Sequence, residues 1–154
     1  MTDMYIREDN VLSKDECEFL AGVLLPIAEK YIRKHGEFYP FGAVLLNNGT
    51  VEMLNTYDEN VPFDSKLAID SLINTYKKLA SEEKIKASAI AWHSTMKKSN
   101  GENSDAIIVS LEHKNKYSVV VAESYVEAGI IKKGIFKRVK FDDLCAFEGK
   151  HDIF

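Results

Sequence analysis

The chain has no surplus of positive charge, no long apolar run, almost no cysteine and no glycine-rich loop, and each shortage removes a class of function. Lys and Arg number 20 against 24 Asp and Glu, a net charge of −4 over 154 residues. A general nucleic-acid binder, whose affinity comes from neutralising phosphates, has the opposite balance. No wholly apolar stretch approaches the ~20 residues that a membrane-crossing helix needs. The start, Met1-Thr2-Asp3-Met4-Tyr5, has neither the basic residues nor the apolar core of a signal peptide. Cys17 and Cys145 are far apart and lack metal-ligand spacing, so they read as reduced thiols of a cytoplasmic protein, with a disulfide between them as the alternative. The eight glycines are scattered and form no phosphate-cradling loop. No repeat or low-complexity segment occurs. No cofactor is expected.

What is present fits one ordinary globular domain, residues 1–154, with 45% hydrophobic and 29% charged residues. A chain of this mass buries about two-thirds of its extended surface, which is enough for a core without metal or disulfide staples. Asn48-Gly49, between the apolar runs Phe41–Leu46 and Val51–Leu54, predicts a hairpin with a type I′ turn, in which both central residues take positive φ. Ser13-Lys14-Asp15-Glu16 has the spacing of a capping box. After it, Leu20, Val23, Leu24, Ile27, Ala28, Tyr31 and Ile32 mark one face of a helix that Gly36 ends. Pro26, inside that pattern, either kinks the helix or opens a second one. Asp64 or Ser65 caps a second helix whose inner side carries Leu67, Ile69, Leu72, Ile73, Tyr76, Leu79 and Ala80.

Three further strands are expected at Ala87–Met96, Asp105–Glu112 and Tyr117–Val126, the last two joined by the tight Lys114-Asn115-Lys116 connection. Gly129–Phe141 adds an edge strand, and its cluster Lys132, Lys133, Lys137, Arg138 and Lys140 reads as edge protection rather than an anion site. The order α-β-β-α-β-β-β predicts an α+β, two-layer domain: an antiparallel sheet of about five or six strands with both helices on one face. That order resembles roadblock and profilin-like folds at the level of topology.

Chemistry-bearing residues are few. His93 beside Trp92, Asp105, and Glu112-His113 at a strand end are the catalytic candidates. Adjacent strand residues point to opposite faces, so Glu112 and His113 cannot share a substrate within a regular strand. His93 and His113 could meet across strands with Asp105 or Glu123, yet zinc needs three or four ligands, and no metal site is expected. Cys17 beside Phe19 and Leu20 reads as buried rather than nucleophilic. Tyr39, Phe41, Trp92 and Tyr125 are candidate pocket or partner contacts. For Tyr39 and Phe41 the structural reading, closing the gap between the first helix and the sheet, is favoured, with Pro40 fixing an extended entry.

The block Phe38-Tyr39-Pro40-Phe41-Gly42, the run Asp105-Ala106-Ile107 leading to Leu111-Glu112-His113, and the tail Phe147-Glu148-Gly149 resemble a functionally uncharacterised group of small bacterial proteins over about residues 36 to 154. More loosely, the chain resembles immunity-type proteins encoded beside secreted toxins. The resemblance implies no reaction, and marks Asp105, Glu112 and His113 as polar positions of interest. The leading expectation is a non-catalytic, cytoplasmic bacterial protein, monomer or homodimer, that binds another protein. One alternative is a small-molecule enzyme or sensor, for which at least three of His93, Asp105, Glu112 and His113 must converge in one pocket. The other is a roadblock-like dimeric scaffold.

Overall fold

Residues Phe41–Leu46 are apolar at every position, and a strand of that kind must be covered on both faces. The computed structural model describes residues 2–55, 64–97, 100–131 and 136–154. Its elements are α1 (Thr2–His35), β1 (Phe41–Leu46), β2 (Val51–Asn55), α2 (Ser65–Ser81), β3 (Ile85–Lys97), β4 (Asn103–His113), β5 (Tyr117–Ile131) and β6 (Phe136–Glu148). The strands form one antiparallel sheet in the order β2-β1-β3-β4-β5-β6. The fold is α+β with the expected element order. The helices divide between the two faces instead of sharing one.

Parity explains the division. Phe41, Ala43 and Leu45 of β1, with Ala87, Ala89 and Ala91 of β3, Ile107, Val109 and Leu111 of β4 and Tyr125 of β5, face α1. There they meet Cys17, Leu20, Leu24, Ala28 and Ile32. Val44 and Ile90 face the other way and pack with Leu72 and Tyr76 of α2. The small alanines on the α1 side of β3 admit the helix, while the larger even-numbered residues meet α2. Helix α2 packs chiefly on β1 and β3, whereas α1 reaches across to β4, β5 and β6.

Several local expectations change. Helix α1 begins at Thr2 and runs through Pro26 as one element. Ser13 and Glu16 therefore lie inside it and make tertiary bonds instead of a capping box. Pro26 is exposed, as is Gly22, whose carbonyl would have bonded its missing amide, so water can take that acceptor. Leu46 N–H donates to Thr50 O at 2.8 Å and closes a three-residue loop, Asn47–Gly49, with Gly49 N–H donating to Leu46 O at 2.9 Å and only Gly49 at positive φ, +90°. This is a type I turn closed by a bulge at glycine, not a type I′ turn. In α2, Asp64 is the cap and accepts from Lys66 N and Leu67 N. Leu67 is 62% exposed, so it does not belong to the inner face. The expected edge strand Gly129–Phe141 is instead divided, Gly129–Ile131 ending β5 and Phe136–Phe141 opening β6, which runs to Glu148 along one edge of the sheet, with β2 at the other; Lys132, Lys133 and Ile135 lie outside the described residues.

Candidate functional site

The four polar candidates do not assemble. His113 faces α1 and is buried at the end of β4. His93 is on the same face, but it pairs with Ile107, six residues along β4, or about 20 Å away. Its ring lies 5.4 Å from that of Phe38. Asp105 is exposed at the opposite end of β4 from His113. Glu112 projects from the other face, as neighbouring strand residues must. Among the described residues no three His, Cys, Asp or Glu side chains group as metal ligands.

His113 belongs to a buried clasp between α1 and the strands. Asn115 N–H donates to its Nδ1 at 3.1 Å, which assigns the proton to Nε2, and Nε2 donates to Glu16 Oε1 at 3.1 Å. Lys86 Nζ lies 2.6 Å from Glu16 Oε2, and Asn115 Nδ2 donates to Ser13 Oγ at 3.3 Å. Burial works against the Glu16 carboxylate, but the bonds from Lys86 and His113 outweigh it and hold its pKa below the ordinary value. Burial likewise holds the His113 imidazole below its ordinary pKa, in spite of Glu16. Both ring nitrogens are engaged, so His113 can act as a base only by breaking the clasp. Burial pushes the neighbouring Cys17 thiol up to about 12, which removes it as a nucleophile.

Glu112 performs a different task on the far face. It accepts from Ile153 N at 3.1 Å and from Phe154 N at 3.0 Å. Ile153 and Phe154 thereby lie against the Leu72–Tyr76 cluster, and Ser118 Oγ donating to Lys150 O fastens the same strap. The spacing of Glu112 from the tail carries no sequence signal, because the two meet only through the fold.

A third constellation joins α1 to β5. Glu123 hydrogen-bonds Glu29, with Arg33 nearby, and Glu123 Oε1 is buried with no hydrogen-bond partner. Burial first, then the Glu29 carboxyl, raise the Glu123 pKa to about 7, against the pull of Arg33. A carboxyl whose folded pKa lies above its unfolded value loses stability as pH rises between the two. Denaturant midpoints should therefore show wild type falling between about pH 4.5 and 7, relative to Glu123→Gln, whose amide does not ionise. Parallel profiles for the two proteins would contradict this account.

The aromatic block makes a cavity rather than a simple seal. About 690 Å³ opens between the end of α1, the linker to β1 and β2, lined by Ile27, Tyr31, Phe38, Tyr39, Phe41 and Met53, with His35, Glu37 and Asn55 as polar groups. Tyr39 and Phe41 thus line one pocket. Trp92 is on the opposite face beside the α2 cluster, and Tyr125 is buried with its ring 5.9 Å from Phe141. A second hollow of about 770 Å³ lies beside the clasp.

Among the described residues α2 packs on β1 and β3 and does not extend over the back of β4–β6, where Ala106, Ala122 and Ser124 are buried, the tail crosses beside Glu112, and exposure is confined to the β6 side. Trp92, Ile108, Ala122 and Cys145 form one cross-strand row, and Ile90, Ser110, Val120 and Phe147 the next. Phe147 is 51% and Val126 41% exposed. No family model, curated protein or solved structure matches the chain. No helix among the described residues is long and apolar enough to cross a membrane.

Proposed function

We propose that the protein acts by binding a protein partner rather than by catalysis, through the exposed apolar surface around Phe147 on the back of β6. The observation that carries this reading is the exposed Phe147 on β6 beside Val120, next to the row Trp92, Ile108, Ala122 and Cys145, on the half of the sheet that α2 does not reach. Apolar surface gathered on one face is characteristic of interaction sites. Its partner is basic, because the net charge of −4 steers an oppositely charged protein toward it. A secreted toxin held inactive by an immunity-type protein is the partner class that the sequence resemblance implies. The dispersal of His93, Asp105, Glu112 and His113 supports the non-catalytic half of the proposal.

The test compares wild type with Phe147→Asp as bait in an extract of the native organism. Wild type should retain a discrete basic protein that the variant loses, with unchanged melting temperature for the bait, and retention should weaken as salt is added. Equal retention by both baits, or none by either, overturns the proposal. So does a wild-type homodimer that Phe147→Asp converts to monomer, since the face would then belong to a second copy.

A further inference from the structure

We infer that the aromatic cavity at the end of α1 is a binding site for a free arylalkyl amine, a small organic cation with a flat apolar body. This site is separate from the back of the sheet. Three observations converge on that ligand class. The first is size and lining: about 690 Å³ lies in the usual range for small-molecule sites, and its walls are chiefly apolar and aromatic.

The second is ring geometry. Tyr31 meets Phe41 edge to face at 5.7 Å and 87°, and Phe38 meets Phe41 at 5.5 Å and 68°. Tyr31 and Phe38 are tilted by 35° at 6.1 Å. Rings inclined in this way form a corner instead of a flat wall, and a corner can offer both an edge for stacking and a π-face for a cation. Tyr31, 38% exposed, and Met53, 45% exposed, leave apolar surface at the mouth.

The third is charge. Among the described lining residues Glu37 is the carboxylate, and none is a Lys or Arg. The carbonyl end of α1 arrives at the same place, since His35 is both the last helical residue and part of the wall. The negative pole of a helix favours a cation there. The nearby Arg33 is drawn away, its guanidinium lying 4.8 Å from the Phe141 ring. Although Lys34 and His35 also occupy the last turn of α1, a cation in the cavity is matched by the Glu37 carboxylate and the ring faces, which an anion would not be.

A free amine suits the site better than a lysine side chain of a partner, because a single aliphatic stem leaves most of the cavity and its rings uncovered. The test uses 2-phenylethylamine, its neutral counterpart 2-phenylethanol, and a capped Ala-Lys-Ala peptide, titrated into the full chain at neutral pH. The amine should shift the methyl resonances of Ile27 and Met53 and bind about tenfold tighter than the alcohol, the scale of one desolvated cation–π and charge contact. Glu37→Gln, at an exposed linker position, should bring the amine down toward the alcohol and leave alcohol binding unchanged. Equal binding of amine and alcohol, shifts confined to other methyl groups, no binding, or tighter binding of the peptide would each overturn the assignment.

Discussion

Gly42→Ala should unfold much of the population, with a loss of about 3 kcal/mol or more, the upper range for forcing an extra methyl into a packed interior. Gly42 lies on the α2 side of β1, where the Tyr76 ring crosses it. A Cβ built there overlaps the Tyr76 hydroxyl and the Ala89 carbonyl oxygen. Neither neighbour can give way cheaply. The Tyr76 side chain is fully buried and donates to that same carbonyl at 3.0 Å, and the carbonyl belongs to central strand β3. Burial also raises the pKa of this phenol, so it stays a donor over the whole working range. Tyr76→Phe alone removes one buried hydrogen bond and should cost about 1 kcal/mol. In the double variant the missing hydroxyl relieves part of the overlap, so the two effects should fall short of additivity by a measurable coupling. Urea midpoints decide the matter. A Gly42→Ala protein within about 1 kcal/mol of wild type would show that α2 does not seat on β1 as described.

Glu16→Ala should cost about 2 to 4 kcal/mol at neutral pH, because it strips the acceptor from Lys86 and from the buried His113 together. The side chains of Glu16 and Lys86 are 13% and 23% exposed, which places the pair between a surface bridge and a fully buried one. The pH dependence separates this explanation from simple loss of packing. Glu16 has a folded pKa below its unfolded value, so its contribution is present above the ordinary carboxylate pKa and disappears as pH falls through the folded one. His113, also lowered, favours the folded state above its ordinary pKa of about 6.5 and loses that advantage on acidification. Because Glu16 favours the protonated His113, the difference between wild type and Glu16→Ala should widen as pH falls below about 6.5 and then collapse as Glu16 itself is protonated. A constant difference would assign the whole effect to packing.

How much of this was legible beforehand varied with the range of the interaction involved. Asp64 as helix cap, Gly36 as terminator and the strands on either side of Lys114-Asn115-Lys116 rest on contacts between near neighbours, and all three appear as expected. Asn48-Gly49 marks the place of the turn but not its type, since one extra loop residue transfers the positive φ to Gly49 alone. Ser13 and Glu16 show how a local pattern can mislead. Their spacing satisfies a capping box, yet the helix starts three turns earlier and both side chains are spent on Asn115, Lys86 and His113. Residues Phe41–Leu46 are apolar at both parities, and that alone requires a layer on each side of the sheet.

Taken alone, the amino-acid order determined the α+β class, the antiparallel hairpins and the boundaries of α2, because propensity, capping and turn chemistry act over a few residues. Only the tertiary structure decided which helix covers which face, since alternation marks two sides of a strand but does not name their occupants. It likewise decided that His113 binds Glu16, that Glu112 holds the tail, and that Tyr31, Phe38, Tyr39 and Phe41 surround a cavity. Those groups lie far apart in the chain or around a bend in it, and their meeting depends on how α1 and α2 close over opposite sides of β1 and β3.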